Sequence, residues 1–222
     1  MAFYADMIRE FLDGLQIAHC GLIGHSMGGQ VALHTALRYP ERIKKLSLMA
    51  PAGLESFSPA EGEDLLSWFA PDKLLEAPLA TVEKNVRANF YHFPEDARQL
   101  LEDRLNYTHC HDYPLFCQIL SQSVAAMLQE PVWELLPRLK MPVQILFGRQ
   151  DGYIPSPLLH PDLKLIPMVE EAASRIPRAD VRFLDRCGHF VQWEGAEEVN
   201  PQLEHFFREE GITSEPSARP KN

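Results

Sequence analysis

The chain holds no apolar run approaching the roughly 18 residues that a membrane span requires. Its first amphipathic stretch is broken by Asp6, Arg9, Glu10 and Asp13, unlike a secretory signal. A membrane is therefore not an expected partner. Basic residues are in short supply: 21 Lys and Arg stand against 31 Asp and Glu, for a formal net charge of -10. Such a surface repels phosphate backbones and acidic lipid, so nucleic acid is set aside too and a small molecule is the expected partner. Cysteine is sparse, and Cys20, Cys110, Cys117 and Cys187 form no C-x-x-C pair. They read as reduced thiols, hence a cytoplasmic chain. Internal repeats and low-complexity blocks are also lacking, which removes solenoid and linker architectures.

What is present is a chain of 222 residues, 45% of them hydrophobic, enough for one large domain with an insertion. Phe3, Met7, Ile8, Phe11, Leu12 and Leu15 recur at helical spacing up to Gly14. The apolar run Cys20-Gly21-Leu22-Ile23 then reads as a strand, followed by a glycine-rich turn and a helix over Met27–Tyr39 that Pro40 closes. Ile43–Ala50 is a second strand. Residues 54–130 read as several short helices rich in aromatics, among them Trp68, Phe69, Phe90, Tyr107 and Phe116, and form an expected cap inserted into the core. A helix over Pro131–Lys140, a strand at Pro142–Phe147, a helix over Leu163–Ile176, a strand at Val181–Leu184 and a helix over Glu194–Glu209 complete the pattern. Short apolar strands alternating with helices predict a mostly parallel sheet flanked by helices in an α/β fold. The expected organisation is a core of 1–53 and 131–210, a cap of 54–130, and a disordered polar tail of 211–222.

The turn after the first strand reads Gly24-His25-Ser26-Met27-Gly28-Gly29, a G-x-S-x-G pattern. Small flanking residues let strand and helix approach closely, which leaves the serine exposed on a strained turn. By chance the pattern alone turns up in roughly one chain in ten of this length, so its place between strand and helix is what gives it weight. A serine hydroxyl is a weak nucleophile until a base takes its proton. Asp151, in Phe147-Gly148-Arg149-Gln150-Asp151, and His189, in Cys187-Gly188-His189-Phe190, each follow a strand, at the end where parallel sheets place their sites. They are the expected acid and base; a turn-forming Asp and a structural loop histidine are the alternatives. Asp185 is a rival acid. His25 neighbours the nucleophile on the other side of the turn and reads as pocket-lining or packing. His92, His109, Cys110 and His111 match no usual zinc spacing, so no metal or other cofactor is expected.

The elbow, the Asp151 turn and the segment Cys187-Gly188-His189-Phe190-Val191-Gln192-Trp193-Glu194 resemble the α/β-hydrolase superfamily. The last segment is similar to its meta-cleavage-product hydrolases, which split carbon–carbon bonds in ring-fission products. That branch usually carries Asn in the elbow and Trp after the base, where this chain has His25 and Phe190; Arg104 corresponds to its cap arginine. The resemblance implies a serine hydrolase without cofactor, acting through Ser26, His189 and Asp151 on an ester, lactone or activated C–C bond of a small carbonyl compound. It implies the backbone N–H of Met27 as an oxyanion donor and His25 and Phe190 as residues lining the substrate. It also implies strands ahead of residue 1, so the chain reads as N-terminally truncated, with the Cys20 strand exposing an edge through which copies would associate into a homo-oligomer. The competing reading is an incomplete, non-catalytic binding module of the same fold.

Overall fold

The structure, a computed structural model, describes residues 1–208. The expected tail, 211–222, and Glu209 at the end of the last expected helix lie outside the described residues. In chain order the elements are α1 (Ala2–Gly14), β1 (Cys20–His25), α2 (Met27–Arg38), β2 (Ile43–Met49), α3 (Pro59–Trp68), α4 (Pro71–Leu75), α5 (Leu79–Arg87), α6 (Arg98–Tyr107), α7 (Tyr113–Gln129), β3 (Val143–Gly148), α8 (Leu165–Ser174), β4 (Ala179–Leu184), α9 (Val191–Glu194) and α10 (Ala196–Arg208). The four strands form one parallel sheet in the order β1-β2-β3-β4, so every strand ends on the same side.

The two central strands are buried on both faces, which is why their sequence is apolar without clean alternation. Val143, Ile145 and Phe147 of β3 face the larger core, with Leu33 of α2 and Val169 of α8. Leu146 faces the opposite layer, with Met49, Cys187, Val191 and Val199 under α9 and α10. On that second face the sheet also buries polar groups. Ser47 donates its hydroxyl across the β2–β3 register to Gln144 Oε1 at 3.0 Å, and Lys45 Nζ reaches the Phe206 carbonyl at 2.5 Å. Each is satisfied where it lies, as burial demands.

Helices α3 to α7 lie between β2 and β3. Buried Gln30 and His34 of α2 hold the end of this insertion by donating to the Met127 and Glu130 carbonyls, at 2.8–2.9 Å. These are acceptors that the end of α7 leaves without intrahelical donors. Two sequence expectations change in detail. Residues 131–140 form no α-helix but a 3₁₀ turn over Trp133–Arg138, because Pro137 lies inside the turn and supplies no N–H. The last helix is preceded by the separate short α9, broken off at Gly195, where a side chain would meet Leu184 and the Val191 carbonyl within 3 Å.

α1 packs on α2 through Ala5 and Leu12, while Phe3, Met7, Phe11 and Leu15 face outward. β1 stands at one edge of the sheet, and its Ile23 is exposed. No helix among the described residues is long and apolar enough to cross a membrane.

His160, in the loop after β3, ties that loop to the start of the insertion. Its Nδ1 lies 2.5 Å from Glu55 Oε1 and its Nε2 3.2 Å from Glu61 Oε1, with Phe57 stacked on the ring. Glu61 also completes the capping box of α3 with Ser58. Burial opposes the imidazolium, but the two carboxylates outweigh it and the net shift of the His160 pKa is upward from 6.5. A raised histidine contributes its stability below its ordinary pKa and loses it as pH rises through the raised value. The stability lost on His160→Gln is therefore expected to be greater at pH 6 than at pH 9, read by thermal unfolding of both proteins. An equal loss at the two pH values would contradict the ion-pair account.

Candidate active site

Three loops meet at the carboxyl ends of the strands. After β1 the chain turns sharply at Ser26, which takes φ 53° and ψ -126° before α2 begins at Met27. Such a conformation in a residue with a Cβ costs of order 1–3 kcal/mol and persists only where its surroundings over-determine it. Here they do: Ser26 donates its N–H to the Met49 carbonyl at 3.0 Å, and its own carbonyl accepts from Gly29 at 2.8 Å and Ala52 at 2.9 Å. A Cβ on Gly24 would lie 2.5 Å from the Gly28 carbonyl oxygen, and one on Gly29 would lie 2.6 Å from Pro51. Gly28, the second glycine of the motif, faces open space, so the close approach rests on Gly24 and Gly29.

Asp151 follows β3 with its side chain fully buried. Its Oδ1 accepts the Tyr153 and Ile154 N–H groups at 2.8 and 3.1 Å, leaving Oδ2 aimed at His189 Nδ1, 2.9 Å away. His189 follows β4, is 4% exposed, and sets Nε2 at 2.8 Å from Ser26 Oγ. A carboxylate can only accept, so His189 Nδ1 carries a proton, and in the neutral ring Nε2 is then the acceptor that faces the serine hydroxyl. The Asp151 and His189 loops also bind each other: Gln150 donates its N–H to the Cys187 carbonyl at 3.0 Å, and Gln150 Oε1 accepts the Cys187 N–H at 3.2 Å.

The structure thus brings Ser26, His189 and Asp151 together. Asp185 is not with them; its exposed carboxylate pairs with Arg149 at 2.8 Å. His25 is nearer than the sequence suggests, its ring centred 4.9 Å from that of His189 and 5.1 Å from Phe190. Its Nε2 donates to the His189 carbonyl at 3.0 Å. Burial, reinforced by the neighbouring His189, pushes the His25 pKa down to about 4. Phe190 also meets Phe90 of the insertion edge-on at 5.0 Å. Among the described residues no group of three or more His, Cys, Asp and Glu is arranged to hold a metal ion. Arg104 sits on α6 with its guanidinium over the Tyr113 and Phe116 rings, at 5.3 and 5.0 Å, and its buried Nη1 has no hydrogen-bond partner.

Sequence reasoning passed over Tyr153, Gln150 and Glu194. Tyr153 sets its ring 5.4 Å from His189 and donates its hydroxyl to the Asn85 carbonyl of α5 at 2.7 Å. The Asp-x-Tyr-Ile spacing that lets one carboxylate oxygen accept two successive N–H groups was the available signal. Gln150 had none.

A parallel sheet with a serine elbow, a carboxylate and an imidazole gathered at its carboxyl ends defines the α/β-hydrolase class. The chain belongs to the alpha/beta hydrolase family, whose sequence profile matches residues 1–202. It is 30% identical to a 2-hydroxy-6-oxo-6-phenylhexa-2,4-dienoate hydrolase of Comamonas testosteroni, over 92% of this chain and 68% of that protein. It is 31% identical to a 2-hydroxy-6-oxononadienedioate/2-hydroxy-6-oxononatrienedioate hydrolase of Burkholderia vietnamiensis, over 92% of this chain and 67% of that one. Its fold matches the structure of a 2-hydroxy-6-oxo-6-phenylhexa-2,4-dienoate hydrolase from a Rhodococcus species with a TM-score of 0.72 at 23% identity, covering 92% of this chain and 69% of that one.

The His25 geometry is directly measurable. With its pKa near 4, the imidazole stays neutral, and its ring resonances are expected not to titrate between pH 5.5 and 8.5 in an NMR series. A His25 resonance moving with a midpoint near 6.5 would mean that the ring is not held in this environment.

Proposed function

We propose that this hydrolase works as a serine hydrolase on a small carbonyl compound, with Ser26 as nucleophile, His189 as base and Asp151 as the group that holds the imidazole. The observation that carries the reading is the unbroken chain of hydrogen bonds from Ser26 Oγ through His189 to Asp151, at 2.8 and 2.9 Å. Ser26 Oγ attacks the carbonyl carbon while its proton passes to Nε2. Collapse of the tetrahedral adduct breaks the bond to the leaving group, which takes that proton; water, deprotonated by the same nitrogen, then releases the acyl group from Ser26. The Met27 N–H, first of the α2 amides that lack an intrahelical acceptor, is the donor for the oxyanion.

For the substrate, the reading favours a C–C bond in a dienoate over a simple ester. The relatives named above are hydrolases of such dienoates, and a dienoate carries a carboxylate. Arg104, half-buried against two aromatic rings with its Nη1 atom buried and unpaired, is the kind of group that receives one. Residues 54–130 then act as a cap that encloses the organic body of the substrate, with His25 and Phe190 lining the floor. Phe90 against Phe190 and Tyr153 against Asn85 are the contacts that support this arrangement.

A fluorophosphonate probe is expected to label Ser26 and no other serine, as read by mass spectrometry. Asp151→Asn should lower kcat by about 10⁴ and His189→Ala by about 10⁶. Asp185→Asn, which breaks only a surface ion pair, should have little effect. Labelling elsewhere, or an Asp185 variant worse than the Asp151 variant, would overturn the assignment.

Arg104→Leu tests the substrate class. It should raise KM for a 2-hydroxy-6-oxo-dienoate at least tenfold, as loss of a charge-assisted pair implies, while leaving kcat/KM for an uncharged phenyl ester nearly unchanged. Equal losses on both substrates would refute the carboxylate role.

A further inference from the structure

The carboxylate of Glu194, at the end of α9, accepts three backbone N–H groups from two separate parts of the chain. Oε2 takes Gly188 at 2.7 Å and Tyr91 at 2.9 Å, and Oε1 takes His92 at 2.8 Å. Gly188 immediately precedes His189; Tyr91 and His92 belong to the insertion, beyond α5. The two backbones are in contact there. A Cβ on Gly188 would lie 2.6 Å from the Tyr91 nitrogen, and Phe190 donates its N–H to the Asn89 carbonyl at 2.9 Å. Around this clasp, Phe90 meets Phe190 and Trp193 edge-on, and Trp193 Nε1 donates to Asp96 at 3.0 Å.

α9 is a single turn of four residues, too short for a helix dipole to account for the placement of Glu194. Three charge-assisted bonds spread over two segments do account for it. Gln could not replace it fully, since its amide nitrogen would turn toward at least one N–H donor.

We propose that Glu194 is a positioning residue that fixes the His189 loop to the 89–92 segment of the insertion, so that the imidazole's alignment on Ser26 and the seating of the insertion are set together. The inference rests on the roles of Ser26 and His189 proposed above. A displacement of the base by a fraction of an ångström to 1 Å is enough to slow turnover by up to about 10²-fold.

The test compares the unaltered protein with Glu194→Gln, Glu194→Ala and, as a control in the same clasp, Asp96→Ala. Two readouts are followed besides thermal stability. One is kcat and KM for a 2-hydroxy-6-oxo-dienoate; the other is the downfield proton resonance of His189 Nδ1–H, which reports the bond to Asp151 whether or not the protein turns over. Both Glu194 variants are expected to lower kcat about 10- to 100-fold with a smaller change in KM, and to shift or broaden the Nδ1–H resonance. Asp96→Ala should lower stability while leaving both readouts in place. If Glu194→Ala does not fold, Glu194→Gln carries the comparison. Glu194 variants that melt earlier but keep kcat and the Nδ1–H resonance would overturn the proposal and leave Glu194 a purely structural tie. An unaltered protein that neither turns over nor reacts at Ser26 would instead count against the catalytic reading, and the resonance would still decide the role of Glu194.

Discussion

An imidazole ring is rigid and carries its nitrogens on different edges, so His189 can meet Asp151 on one edge and Ser26 on the other only if three loops agree in position to a few tenths of an ångström. The observed separations of 2.9 and 2.8 Å meet that condition. A parallel sheet makes the agreement attainable, because β1, β3 and β4 all deliver their following residues to the same side. β2 supplies none of the three side chains, yet it holds the elbow: its Met49 carbonyl receives the Ser26 N–H, and Ala52, just beyond it, donates back to Ser26. The side-chain relay thus depends on backbone hydrogen bonds between loops at least as much as on the three residues it joins.

That arrangement is held against strain. Ser26, Ala50 and Arg186 all take positive φ, and all lie at the carboxyl ends of strands or in the loop leading to His189. At about 1–3 kcal/mol each, one such residue costs roughly what the burial of one aliphatic side chain contributes, about 1.5–3 kcal/mol. Ala50 shows how the two are linked. It is fully buried and donates its N–H to Leu146 in the central, fully buried β3, so the strained residue is anchored in the most stable part of the sheet.

Much of this was legible in the sequence, and the part that was not has a common cause. The elbow, Asp151 and His189 could be read because each combines a local motif with a position after an apolar strand. The parallel sheet could be read because short, largely apolar strands alternate with helices along the chain. What periodicity does not encode is pairing at long range. Nothing in the sequence matches Ser47 to Gln144, or places His160 between Glu55 and Glu61, or brings Glu194 to the amides of Tyr91 and His92. Ser47 and Gln144 are buried polar groups tolerated because each finds the other, while His160 and Glu194 are half-buried and join segments far apart in the chain. Pro137 and Gly195, by contrast, were visible signals, and both interrupt helices that the apolar pattern alone would have continued.

α1 illustrates the limit from the other direction. The sequence presents Phe3, Met7, Ile8, Phe11, Leu12 and Leu15 as one apolar stripe, but the structure divides it. Ala5 and Leu12 turn inward, while Phe3, Met7, Phe11 and Leu15, spaced four apart, turn outward on the side away from α2. Exposed Ile23 on the edge strand β1 adds to the apolar surface left uncovered. An edge strand has half the ladder hydrogen bonds of a central one and frays more readily, and this edge strand is the one that leads into Ser26. Among the described residues the backbone of the elbow is held from the β2 side, through Met49, Pro51 and Ala52. A segment or partner laid on the free edge of β1 would remove apolar surface from water and stiffen the strand that leads into Ser26. Stability and the geometry of the Ser26 turn are consequently coupled at that edge.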